Sequence, residues 1–343
     1  MWLMDHQMNI RVSEAFGEYF VRLPLRKSAT IVHGNALRMD WESLINDENN
    51  YYDFILGNPP FVGASYQNKL QKEDMTAVFG NVQGAGVLDY VAAWYLKAAK
   101  YLQNTRAKAA FVSTNSITQG EQVSIIWNEL FEVYKVTIHF AHRTFCWNNE
   151  ARGNAAVHVV IIGFANYNIE TKHLFEYNNW SGDPHHNLVK NINPYLIEGQ
   201  NQIVVRRRIP LCNIPPMIKG NQPTDAGFFL FTTKEKEEFL RGEPFAEKWF
   251  KKFMGSSEFL NNVDRWCLWL KDISPQELKS LPKVYERVEK VREYRLKSTK
   301  AATIRKAATP TLFDEIRHTE LDYLVVPEGS SERRRYIPIG YAK

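Results

Sequence analysis

The chemistry of this chain concentrates at Asn58-Pro59-Pro60-Phe61. A carboxamide both donates and accepts hydrogen bonds. Paired prolines stiffen the backbone and offer no N–H, and the phenyl ring presents a flat face. The amide oxygen and a backbone carbonyl could accept the hydrogens of an amino group while the ring lies against a planar base. Such a set suits an amine conjugated into a ring, a weak base that must be oriented rather than deprotonated. Other chemistries lack their residues. There is no P-loop, no HExxH pair and no nuclease-like set of carboxylates, and Cys146, Cys212 and Cys267 are too scattered to hold a metal. They read as reduced thiols of a cytosolic protein.

The turn needs a rigid support. Tyr51-Tyr52-Asp53-Phe54-Ile55-Leu56-Gly57 reads as a buried central strand that the prolines bring to a stop. Strand ends in open α/β sheets are where ligands sit. Upstream, Ile10 to Phe20 has helical spacing, and Ala29 to His33 reads as a β-branched strand ending at Gly34-Asn35-Ala36-Leu37. Downstream, Gly63 to Gly86 is polar and punctuated by glycine, and reads as a long loop that closes over the substrate. A helix is expected from Leu88 to about Leu102, strands at 107–114 and 135–140, a helix over 123–134 between them, and an apolar strand over 155–164. Arg143-Thr144-Phe145-Cys146-Trp147 reads as an aromatic loop ahead of that last strand. This order fits a mixed, mostly parallel α/β sheet.

The stretch Asp53-Phe54-Ile55-Leu56-Gly57-Asn58-Pro59-Pro60-Phe61 resembles the catalytic motif of class I S-adenosyl-L-methionine-dependent methyltransferases acting on adenine N6 in DNA. Phe61-Val62-Gly63-Ala64-Ser65 narrows the resemblance to large type II restriction-modification proteins that fuse methyltransferase and target-recognition segments. The resemblance implies a Rossmann-like methyltransferase sheet followed by an α+β target-recognition region. It gives catalytic roles to Asn58, Pro59, Pro60 and Phe61, and stacking of the extruded base to Phe61 and Phe145, with Trp147 in reserve. Cofactor contacts fall to Asn35, Ala36, Asn58, Pro60 and Trp94. In related enzymes an acid commonly stands where Asn35 does, and a turn asparagine is the plain alternative. For Trp94 the alternative is packing of a helix on the sheet. The family's glycine-rich cofactor turn has no counterpart, so the chain resembles a fragment truncated at its N-terminal side. Partner expectations are double-stranded DNA and a nuclease lying outside this chain.

The 343 residues suffice for two domains, with 44% apolar and 24% charged residues and a formal charge of +5. No apolar run approaches the roughly 20 residues that span a bilayer, and no signal-peptide pattern opens the chain. Membrane association is not expected, and the location expected is cytoplasmic. Asparagine-rich sequence from Asn166 marks the expected boundary between a catalytic domain, 1–165, and a recognition region, 166–343. The second region has a short strand at Ile203 to Val205 and a basic helix at Val284 to Arg305 that includes Arg295. Arg206, Arg207, Lys219, Arg333, Arg334 and Arg335 are its expected DNA contacts. Two rival functions remain on the sequence alone. One is methylation of a protein glutamine amide, which can use the same motif; the other is DNA binding without catalysis.

Overall fold

The computed structural model describes residues 2–17, 31–45, 51–147, 157–179, 182–207, 209–317, 321–331 and 334–342. The chain divides into two compact units, Met1–Arg208 and Ile209–Lys343.

The first unit opens with α1 (Trp2–Phe16) and continues through β1 (Phe54–Gly57), α2 (Lys69–Phe79), α3 (Ala92–Tyr101), β2 (Lys108–Thr114) and α4 (Gly120–Asn128). It ends with β3 (Thr137–Trp147), β4 (Val157–Ala165), β5 (Lys172–Glu176) and β6 (His185–Val189). The strands form one sheet in the order β1-β2-β4-β3-β5-β6. β1 runs parallel to β2, and β4 lies antiparallel between β2 and β3. β5 is parallel to β3, and β6 returns antiparallel to β5. The mixed α/β sheet expected from the sequence is present, but it is not mostly parallel: three of its five strand pairings, β2 with β4, β4 with β3 and β5 with β6, are antiparallel.

α3 is rich in alanine, so its backbone comes close to the sheet. Ala92, Ala93, Leu96, Ala98 and Ala99 are buried. Tyr95 stacks on Phe164 at 5.5 Å and tilts against Phe111 at 5.2 Å. Its hydroxyl reaches Ser113 Oγ at 3.0 Å, which satisfies the one polar atom of an otherwise buried ring.

Several expectations need correction. β1 is an edge strand among the described residues, with Phe54 65% and Leu56 75% exposed, so it is not a buried central strand. Residues 31–33 form no strand, and 29–30 and 18–20 lie outside the described residues. The long loop contains α2, whose start is a reciprocal capping box between Asn68 and Gln71. Met75, Val78 and Phe79 bury its inner face. The aromatic segment 143–147 is not a loop but the end of β3, bulged between His142 and Phe145. The sheet also runs past the expected boundary after 165, because β5 and β6 extend it. No strand forms at 203–205.

The second unit contains β7 (Leu230–Thr232), α5 (Thr233–Gly242), β8 (Phe250–Lys252), α6 (Ser256–Asn261) and β9 (Arg265–Leu268). After them come α7 (Pro275–Ser280), α8 (Pro282–Leu296), α9 (Ala301–Arg305) and the hairpin of β10 (Tyr323–Val325) with β11 (Gly340–Ala342). β7, β9 and β8 make a small antiparallel sheet. α8 buries Val284, Val288, Val291 and Arg295 along one stripe, in a core shared with Phe229, Phe231, Phe250 and Phe313. The basic helix expected over 284–305 is therefore two helices. Its Arg295 is fully buried and donates to the carbonyls of Pro223, Thr224, Lys306, Thr309 and Leu312 at 2.8–3.2 Å, which makes it a structural residue and not a phosphate contact. Lys290 and Arg292 pair with Glu286 and Glu289 on the same helix.

Candidate active site

β1 ends at Gly57, and Asn58-Pro59-Pro60-Phe61 follows directly. A Cβ at Gly57 would lie 3.1 Å from the ring of Phe111, so the strand end sits tightly on β2. Asn58 and Pro60 are exposed, Pro59 is buried and Phe61 is half-buried. The turn therefore packs one proline into the protein and leaves the carboxamide facing solvent. Past it the chain is tied down again. The Tyr90 N–H donates to the Val62 carbonyl at 2.9 Å, and the Ala64 N–H donates to Asp89 Oδ1 at 3.3 Å.

Asp74, on the buried face of α2, organises the neighbouring turn. Its carboxylate accepts from Asn35 Nδ2 at 2.9 Å, from Arg38 Nε at 2.5 Å and from the Tyr90 hydroxyl at 2.6 Å. Burial by itself would raise this carboxyl, but bonds from Tyr90, Arg38 and Asn35 outweigh it and hold the pKa below the ordinary carboxylate value. Tyr90 is pushed up to about 12 by burial and by its bond to that carboxylate. Asn35 Oδ1 also accepts the Leu37 N–H at 3.0 Å, which shapes the turn that contains Ala36. The Lys97 ammonium donates to the Leu37 carbonyl at 2.8 Å and to that of Met39, and lies 5.2 Å over the Trp41 ring. Trp94 is half-buried and packs edge-on to Tyr90 at 5.1 Å. Asn35 and Trp94 thus meet through Tyr90 and Asp74, a link between them that the sequence did not reveal.

Phe145 stacks on Tyr177 at 5.0 Å, and the Tyr177 hydroxyl bonds His142 Nδ1 at 2.8 Å. His142 in turn stacks on Phe175 at 4.2 Å, and burial lowers its pKa, which favours the neutral ring. Trp147 lies 6.2 Å from Phe145 and is exposed. The structure brings Phe145 together with Tyr177 and His142. No ring contact joins Phe145 to Phe61 among the described residues.

The basic residues are spread over both units. Arg206 and Arg207 are exposed in the first, where Arg206 pairs with Glu121 at 3.3 Å. In the second, Lys219 pairs with Glu328 at 3.0 Å, Arg334 is exposed, and the Arg335 guanidinium lies 5.5 Å over Tyr336. Arg333, like Arg208, lies outside the described residues. Among the described residues no group of His, Cys, Asp and Glu could hold a metal, and no helix is long and apolar enough to cross a membrane.

Comparison with known proteins follows the same two-part division. Residues 1–176 match the family model for the MmeI DNA-methyltransferase domain, and residues 198–343 match the MmeI target recognition domain. The chain is 42% identical over 344 residues to DNA methyltransferase A of Bacillus subtilis (strain 168), covering all of this chain and 38% of that protein. It is also similar to the solved structure of the Type IIL restriction-modification enzyme MmeI in complex with DNA, at 49% identity and a TM-score of 0.86. That match covers 99% of this chain and 45% of the MmeI chain. The chain thus spans less than half the length of these relatives.

Proposed function

The chain belongs to the MmeI family, with a methyltransferase domain and a target recognition domain in sequence, and from that premise we propose that it is the modification and DNA-reading part of a restriction-modification enzyme. It methylates the exocyclic amino group of adenine in double-stranded DNA, in the cytoplasm, with S-adenosylmethionine as donor. The observation that carries this reading is the turn Asn58-Pro59-Pro60-Phe61 at the end of β1, anchored on both sides while its carboxamide stays exposed.

S-adenosylmethionine supplies a methyl group on a sulfonium, a good leaving group, so no base has to act before transfer. The chain's own residues then have an orienting task. The Asn58 side-chain oxygen and the Pro59 carbonyl each accept one amino hydrogen, which draws the nitrogen towards tetrahedral geometry and frees its lone pair. Asn58 and Pro59 would hold that lone pair towards the methyl group that the donor would supply when bound. The amino proton is lost to solvent afterwards. Phe61 and Phe145 hold the ring once it has left the stack, offsetting an unstacking cost of a few kcal/mol.

The turn around Asn35 suits such a donor. Asn35 is exposed and keeps an oxygen lone pair beyond its bond to the Leu37 N–H, which could accept from an adenine edge. Ala36, Pro60 and Trp94 would bound the same space. A target recognition domain is what a DNA substrate demands and a glutamine amide does not, which favours DNA over protein as substrate.

The test is Asn58→Ala in the complete enzyme, measured by single-turnover methyl transfer to DNA. Loss of one positioned polar group should slow transfer on the order of a hundredfold or more with DNA affinity unchanged. A variant that keeps more than about a tenth of the rate would remove Asn58 from the mechanism.

A further inference from the structure

We propose that Asp89 is a positioning residue for the turn at 58–61, acting through the chain just beyond it; this rests on the catalytic role of Asn58. Asp89 stands before α3 and is 8% exposed. Its carboxylate joins two segments far apart in sequence. Oδ1 accepts the Ala64 N–H at 3.3 Å, while Oδ2 accepts from Thr114 Oγ1 at 3.1 Å and from the Ser116 hydroxyl. The Asp89 N–H donates to Gln122 Oε1 at 3.1 Å, which fixes the residue from the α4 side. Tyr90, the next residue, holds Val62 through its N–H.

The arrangement has a clear mechanical meaning. Upstream of Asn58 the chain is fixed at Gly57 against Phe111. Downstream, the anchors are Val62 and Ala64, and both hang on Asp89-Tyr90. Thr114 ends β2, and Ser116 follows it, beyond the point where Gly57 pairs with Phe111. The carboxylate therefore ties the outgoing limb of the turn to the carboxyl end of the neighbouring strand. A carboxylate is acceptor-only, with about four lone-pair sites, so it can take an N–H from one side and two hydroxyls from the other. Alanine would release all three donors. Asparagine would keep Oδ1 for Ala64 and leave the hydroxyls free to turn and accept.

The test uses the complete enzyme and plasmid DNA grown without adenine methylation, with single-turnover transfer of a tritiated methyl group, DNA affinity and melting temperature followed together. Asp89→Ala should slow transfer by about ten- to a hundredfold, as expected when a reacting group drifts by a fraction of an ångström to an ångström. KM and DNA affinity should stay at wild-type values. Asp89→Asn should recover to within about threefold of wild type because the Ala64 bond persists. If Asp89→Ala does not fold, Ser116→Ala and Thr114→Val carry the test, each removing one donor and each expected to slow transfer. Full activity of Asp89→Ala, or of both hydroxyl variants, overturns the positioning role, as does a loss that tracks DNA affinity. Asn58→Ala, run alongside, separates the two claims. If it remains active, the function reading fails and this one with it. If it is inactive while Asp89→Ala is at wild-type rate, only the positioning role fails.

Discussion

Replacing Arg295 by lysine should loosen the second unit while leaving the first untouched. The five guanidinium N–H groups of Arg295 serve five carbonyls, at Pro223, Thr224, Lys306, Thr309 and Leu312, from a fully buried position at the end of α8. A lysine ammonium has three donors, so at least two carbonyls lose their partner. Each buried orphan costs about 1–3 kcal/mol, which sets a range of roughly 2–6 kcal/mol. Lys306 and Thr309 are exposed, and their carbonyls can turn to water, so the lower part of that range, about 2–3 kcal/mol, is expected. Hydrogen exchange read by mass spectrometry on the complete protein localises the effect. Amides of 282–313 that exchange by opening of this unit should do so roughly 30- to 160-fold faster. Those of 92–114 should keep their rates. Unchanged exchange at 282–313 would show that the carbonyl cluster does not depend on the guanidinium. An equal acceleration in both stretches would refute the assignment of Arg295 to one unit.

Cys267 is buried, and burial first, then the charge of Asp225, pushes its thiol up to about 12. At pH 8 a disulfide reagent should therefore label exposed Cys212 at once and Cys267 only after unfolding; prompt labelling of Cys267 would contradict its burial. Asp74 has a folded-state pKa below its unfolded value, so its contribution is present above the unfolded pKa and lost as the pH falls through the folded one. Acid unfolding of Asp74→Asn should accordingly be less pH-dependent than wild type in that acidic window, and parallel profiles would exclude the linkage. Phe61→Ala should reduce the fluorescence gain of 2-aminopurine placed at the methylated adenine, with Phe61→Tyr near wild type; equal gains in all three would end the stacking role. Neutralising Arg334 and Arg335 together should weaken binding to all DNA alike and flatten its salt dependence by nearly one unit of slope per charge, whereas unchanged slope would place them outside the interface.

The motif at 58–61 was legible because its chemistry is local: four consecutive residues at a strand end. The sheet was legible for the same reason, since β2 and β4 are apolar runs bounded by turns. Position within the sheet was not. Tyr51 to Gly57 looks the same whether it is flanked on two sides or one, and only strand pairing shows β1 at an edge. α2 was hidden by polar residues on its outer face and by a cap made of asparagine and glutamine, a less familiar pairing than serine with glutamate. Asp74 and Asp89 escaped notice because their partners lie 16 to 39 and 25 to 27 residues away, beyond any local pattern. Arg295 was read with its basic neighbours on α8, although its place on the Val284-Val288-Val291 stripe was a visible sign of burial.

The most direct test of the central claim is the identity of the modified nucleoside. The complete enzyme is incubated with double-stranded DNA and S-adenosylmethionine carrying a deuterated methyl group, the DNA is digested to nucleosides, and these are analysed by mass spectrometry. An amino group held by Asn58 and Pro59 predicts deuterated N6-methyladenine in wild type and its loss in Asn58→Ala. Label on cytosine, or N6-methyladenine undiminished by Asn58→Ala, would contradict it.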